Sequence, residues 1–176
     1  VAARHHACIF LTEDDRLVGL GYRAQGKENK GDYLPKELPK PDNCVNIKKI
    51  DHGKFFRLAL TESGDLFFQG QAKKYILTKE VDVNTHVNGF FQVNHLWKLD
   101  GGDKIVDMAG GKHFMIVVTE HGKVYGSGWN FYRQIEHIRH NTENNEDFPY
   151  ELRFAEGWLA RKVWAADTYN NIWVLG

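Results

Sequence analysis

The chain has 176 residues, with 23 basic and 23 acidic side chains and a formal net charge of zero. At 42% apolar residues this length can fill one sizeable core, and the charge balance excludes bulk attraction to nucleic acid or anionic lipid. Two cysteines exclude a disulfide-dense scaffold, two serines argue against a serine hydrolase, and the longest strongly apolar stretch, Phe114 to Val118, is far too short to span a membrane.

Val1-Ala2-Ala3-Arg4 opens the chain without an initiator Met or a signal-peptide pattern. The first predicted element is a β-hairpin over residues 7–21. Its apolar runs, Ala7 to Leu11 and Leu17 to Leu20, flank the polar turn Thr12-Glu13-Asp14-Asp15-Arg16 and close on Gly21. From Tyr22 to Lys49 follows an irregular stretch rich in Pro and Lys. The second hairpin, residues 56–70, repeats the first without gaps: Phe56-Arg57-Leu58-Ala59-Leu60-Thr61-Glu62-Ser63-Gly64-Asp65-Leu66-Phe67-Phe68-Gln69-Gly70. After the irregular stretch Gln71 to Asp103, the third hairpin occupies residues 114–128, again with Thr119-Glu120 before the turn and Gly128 nine residues after the threonine. The stretch Trp129 to Arg161 leads to a fourth unit beginning near residue 162. There Trp164 to Leu175 can be laid over Met108 to Thr119.

The three threonines stand 49 and 58 residues apart. Gly64 and Gly122 can take a positive φ in the turn, and Asp15, in the same place, tolerates that region better than most side chains. The apolar runs are nearly continuous, which predicts strands buried on both faces and therefore sheets stacked between sheets. Each irregular stretch is long enough for two more strands. A repeat of four strands in about 50 residues is that of a propeller blade. The fold class is thus all-β: a partial β-propeller of roughly three four-stranded antiparallel blades, with residues 1–176 as one partial propeller domain.

The best copy of the repeat runs from Ile105 to Ile135 and contains Ile105-Val106-Asp107-Met108-Ala109-Gly110-Gly111, Val117-Val118-Thr119-Glu120-His121-Gly122-Lys123-Val124-Tyr125 and Gly128-Trp129-Asn130-Phe131-Tyr132-Arg133-Gln134-Ile135. This pattern resembles the repeat of the regulator of chromosome condensation family. The chain is a divergent example: a histidine usual three residues after the repeat's glycine is replaced by Ala7, Phe56, Phe114 and Asn170. A tryptophan usual before the closing glycine is replaced by Leu20, Gln69 and Ser127. The resemblance implies a seven-bladed ring. It also implies roles from guanine-nucleotide exchange on a small GTPase, through chromatin binding and scaffolding, to inhibition of other enzymes. Three units fall short of such a ring, so the sequence leads us to expect a piece of a longer protein, or a ring completed by other polypeptides.

The chemistry-bearing residues give no catalytic set, and we expect no enzyme activity, no cofactor and no metal. His137 and His140 share a helical spacing beside Glu136 and Glu143, and His5-His6-x-Cys8 forms a second cluster. Neither shows the three or four convergent ligands that zinc needs. His6 and His113 occupy equivalent repeat positions and are expected to hydrogen-bond within their blades. Gly110-Gly111-Lys112-His113 lacks the spacing of a phosphate loop. Gly126-Ser127-Gly128 is flanked by Tyr125 and Trp129, not by the glycines of a nucleophile elbow.

Lys27, Lys30, Lys36, Lys40, Lys48 and Lys49 make the first irregular stretch basic, and Glu143, Glu146 and Asp147 make the third acidic. Both read as solvated loops, or as complementary docking patches. The candidate partner-binding residues are Tyr22, Arg23, Trp129, Phe131, Tyr132 and Arg133, because aromatic side chains with Arg make interface anchors. The expected function is protein binding or scaffolding. Nucleotide exchange on a small GTPase is the alternative, and inhibition of another enzyme the third option. Membrane and specific nucleic-acid partners are not indicated. Few cysteines and the lack of any Asn-x-Ser/Thr sequon point to an intracellular protein, without separating cytoplasm, nucleus and cilium.

Overall fold

A computed structural model describes residues 1–4, 7–21, 34–71, 86–97, 99, 102–128, 149–166 and 171–176. Three four-stranded antiparallel sheets follow one another along the chain. The first contains β1 (Ala2–Arg4), β2 (Ala7–Leu11), β3 (Leu17–Gly21) and β4 (Lys36–Glu37). The second contains β5 (Ile47–His52), β6 (Phe56–Thr61), β7 (Leu66–Gln71) and β8 (His86–Gln92). The third contains β9 (Ile105–Gly110), β10 (Phe114–Thr119), β11 (Val124–Gly128) and β12 (Tyr150–Leu152). A pair of strands, β13 (Lys162–Ala165) and β14 (Ile172–Leu175), ends the chain. The all-β expectation holds: apart from the single-turn 3₁₀ helix Asn94–Leu96 and 3₁₀ backbone at Gly102, the regular structure of the described residues is strand.

Every residue of β6 and β10 is buried, which is why their sequences lack the apolar–polar alternation of a half-exposed strand. The alternation survives as a division of labour between two covered faces. Leu58, Leu60, Leu66 and Phe68 of the second blade pack with Met108, Met115, Val117 and Tyr125 of the third. From the same strands, Ala59 and Phe67 turn the other way and pack with Ile9 and Leu17 of the first blade. Ile116 and Val118 of the third blade meet Val163 and Ala165 of β13. The opposite face of the last pair is open: Trp164 and Trp173 are cross-strand partners, and they are 48% and 53% exposed.

The three hairpin turns have one geometry. The threonine N–H donates to the carbonyl four residues on: Thr12 to Arg16 at 3.0 Å, Thr61 to Asp65 at 3.0 Å and Thr119 to Lys123 at 2.9 Å. The residue at the reversal has φ 62° at Asp15, 90° at Gly64 and 78° at Gly122. Asp15 also does something glycine cannot. Its carboxylate accepts from Asn46 N–H and Ile47 N–H, both at 3.0 Å, and so ties the first blade's turn to the entry of the second. Asp15→Ala is expected to cost about 2 kcal/mol, because it strands two N–H groups and puts alanine at positive φ. Asp15→Asn, which keeps an acceptor and tolerates that backbone, should cost less than half as much. Urea titrations of the two variants check the order, and equal losses would mean that the inter-blade bonds contribute nothing.

Candidate functional site

The antiparallel order sorts the connections to two ends of the blades. The links from β5 to β6 and from β9 to β10 lie at the end where β7 and β11 finish. The hairpin turns lie at the other. At the first end, Gly53 N–H donates to Phe56 C=O and Gly111 N–H donates to Phe114 C=O, so both links are tight backbone loops. They project equivalent residues, Lys54-Phe55 and Lys112-His113, and Lys54 N–H donates to Lys112 C=O at 3.1 Å across the blade boundary. The His113 ring stacks on Phe55 of the preceding blade, with centroids 5.6 Å apart and planes 25° apart. The Lys54 ammonium stands 5.0 Å above the Phe55 ring. Lys54 is exposed and the other three are half-buried.

The closing glycine of the repeat supports this row. Gly70 and Gly128 have φ of 119° and 121°. A Cβ at Gly128 would lie 2.5 Å from both His113 O and Phe114 Cα. Only glycine lets β7 and β11 end directly against the loops that carry the row. The result is a rigid strip of cations and aromatic edges. It can hold an acidic surface, but it offers no nucleophile beside a general base.

The opposite end is rich in carboxylates, several of them already paired. Arg16 bonds Asp14 at 2.7 Å and approaches Glu37 at 3.7 Å. The Thr12 hydroxyl and then the Arg16 guanidinium hold the Asp14 carboxyl below its ordinary range. Lys123 lies 3.8 Å from Glu151. Asp103 accepts from the His121 ring at 2.8 Å. Burial raises the Asp103 pKa, but the Thr119 hydroxyl and His121 outweigh it and leave the carboxyl below the usual value.

The six candidate partner-binding residues, Tyr22, Arg23, Trp129, Phe131, Tyr132 and Arg133, lie outside the described residues, as do His5, His6, His137, His140, Glu136 and Glu143. Four of the lysines read as loop surface are differently placed, with Lys36 in β4 and Lys48 in β5. Lys49 is in β5, where its Nζ bonds Asp107 Oδ1 at 2.6 Å. Lys40 reaches the Cys44 carbonyl and lies 3.7 Å from Asp15. Ser127 is buried in β11. Burial pushes the Cys44 thiol up to about 11, so it is a packing group and not a thiolate nucleophile. Sequence reasoning missed the Lys54–Phe55–Lys112–His113 row, although its signal was present: the pairs stand at equivalent positions of two repeats.

Residues 105–134 match the Regulator of chromosome condensation (RCC1) repeat. The chain is 26% identical over 190 aligned residues to the ultraviolet-B receptor UVR8 of Arabidopsis thaliana, using 100% of this chain and 40% of the receptor. It is 27% identical over 168 residues to the E3 ubiquitin-protein ligase HERC2 of Homo sapiens, using 94% of this chain and 3% of the ligase. Among solved structures, human WBSCR16 superposes with a TM-score of 0.75 at 16% identity, over 99% of this chain and 43% of that one. Prp20p from Saccharomyces cerevisiae, studied for its binding to Gsp1p and histones, superposes with a TM-score of 0.68 at 22% identity, over 94% of this chain and 41% of that one. The chain therefore spans less than half the length of each of these relatives. Residues 105–134 thus carry a repeat of the regulator of chromosome condensation type, and the fold matches part of the propeller of these solved structures.

Proposed function

We propose that this arc of regulator of chromosome condensation repeats is a protein-binding scaffold with no catalytic chemistry of its own, and that an acidic partner docks on the blade ends bearing Lys54, Phe55, Lys112 and His113. One observation carries the reading. Two successive blades present a cation and an aromatic ring at equivalent positions, stacked across the blade boundary at 5.6 Å on backbone that is itself hydrogen-bonded between blades. Preorganised rings and cations of this kind lose little freedom on binding, and they steer acidic partners by charge.

A photo-cross-linker at Lys112 should capture partner protein, and one at Glu62, which is exposed at the opposite end, should not. Combined Lys54→Glu and Lys112→Glu should slow association about tenfold at low salt. Equal capture at both ends, or no effect of the charge reversal, refutes the assignment. The fold shared with Prp20p favours one second reading, guanine-nucleotide exchange on a small GTPase. Exchange works by displacing nucleotide contacts and needs no acid or base from the exchange factor. Accelerated GDP release from a panel of small GTPases would establish it, and unchanged release would remove it.

A further inference from the structure

The third hairpin turn departs from the other two in a way that the binding of a partner at the far end does not explain. In the first turn the Thr12 hydroxyl donates to Asp14 Oδ1 at 2.5 Å and accepts from Arg16 N–H at 2.9 Å. In the second, Thr61 Oγ1 pairs with Ser63 Oγ at 2.8 Å and accepts from Asp65 N–H at 3.0 Å. The threonine hydroxyl thus fastens its own turn. In the third turn the Thr119 hydroxyl is wholly buried and makes no hydrogen bond of normal geometry. It lies instead beside the Asp103 carboxylate, whose pKa it helps to lower.

Asp103 has no counterpart in the second repeat, where Val45 stands, and His121 replaces Ser63. Both changes converge on one spot. The Asp103 side chain is 2% exposed and fixed, while His121, 73% exposed, turns its Nδ1 onto Asp103 Oδ1 at 2.8 Å. Glu120 is drawn to the same place by reciprocal bonds with Lys104: its N–H donates to Lys104 C=O at 2.9 Å, and its Oε1 accepts from Lys104 N–H at 3.3 Å. One ligand atom from each of Asp103, Glu120 and His121 lies within 4.8 Å of the others.

We propose that Asp103, Glu120 and His121 form a binding site for a divalent transition cation, Zn²⁺ fitting best, that clips the third hairpin turn to the entry of its own blade. The donors are one imidazole and two carboxylates. This mixed nitrogen–oxygen set suits zinc and its first-row neighbours and is poor for calcium, which takes six to eight oxygens. A tetrahedral zinc at about 2.0–2.2 Å from each donor needs donors roughly 3.3 Å apart. The His121–Asp103 pair must open by about half an ångström, and the exposed Glu120 must swing in. The two exposed ligands are free to make these movements, and the buried one need not move. Water fills the fourth position. The buried Thr119 hydroxyl, which no other described group engages, lies on the same carboxylate.

The test is calorimetric titration of the whole chain with ZnCl₂ in a non-chelating buffer, with melting temperature followed in parallel. We expect a principal equivalent of zinc and a raised melting temperature. His121→Ala and Glu120→Gln, both at exposed positions that leave the fold intact, should each weaken binding by on the order of tenfold or more and abolish the thermal shift. Cu²⁺ bound in place of zinc should show hyperfine coupling to a single imidazole nitrogen. No binding, binding unchanged in both variants because the ion sits on other histidines, or Ca²⁺ binding as tightly as zinc would each overturn the site.

Discussion

Replacing Gly70 with alanine is expected to lower the stability of the chain by about 4 kcal/mol, from roughly equal contributions of backbone strain and steric overlap. The backbone at Gly70 has φ 119°, a region that side chains rarely enter. A Cβ there would lie 2.8 Å from Phe56 Cα and still closer to the Phe55 carbonyl oxygen. Neither neighbour can retreat. Phe56 is the cross-strand partner of Gly70, and its ring stacks on Phe68 in the core at 5.4 Å. Gly102→Ala is the control, since Gly102 has φ 77° but no atom within 4 Å of a Cβ. It should cost about 1 kcal/mol from conformation alone. Urea unfolding followed by tryptophan fluorescence separates the two. Similar midpoint shifts would show that the close approach to residues 55 and 56 does not matter.

That glycine also shows how far the sequence could be read. Its fixed spacing of nine residues after the threonine marked the repeat, and the hairpins, their turns and their double burial followed from local patterns of apolar and turn residues. Asp15 was legible as a residue able to adopt positive φ, which it does at 62°. Its second role was not legible, because the N–H groups it binds are 31 and 32 residues away. Two of the three fourth strands were hidden for a different reason. Lys36–Glu37 is two residues long and Tyr150–Leu152 three, so each edge strand is too short to carry a period. His113 was expected to bond within its blade, and its ring stacks on the previous one, a contact between residues 58 positions apart. A repeat reveals what recurs within a unit. Contacts between units join residues far apart in the sequence, and some rest on departures from the repeat, as where Lys49 of the second blade meets Asp107 at the equivalent position of the third.

Asp107 is the strongest of these exceptions and sets the second large expectation. It stands in β9, is 8% exposed, and joins three successive units. Its Oδ1 accepts from Lys49 Nζ of the second blade at 2.6 Å, and its Oδ2 accepts from Val163 N–H of β13 at 2.9 Å. Asp107→Ala is expected to cost about 3 kcal/mol, since it leaves one buried N–H without an acceptor and one ammonium without its counter-charge. The two losses are unequal. Val163 is fully buried, so its N–H has no recourse to water. The Lys49 side chain is 31% exposed and can turn outward to be solvated. Lys49→Ala should therefore cost only about 1 kcal/mol, and the coupling between the two positions should be no larger than that of a partly exposed ion pair. Amide hydrogen exchange resolves the mechanism: Val163 should lose protection in Asp107→Ala and keep it in Lys49→Ala. If both variants lose the same stability, the ion pair and not the backbone bond joins the blades. Residue 49 would then owe its lysine to the core of the propeller rather than to its surface.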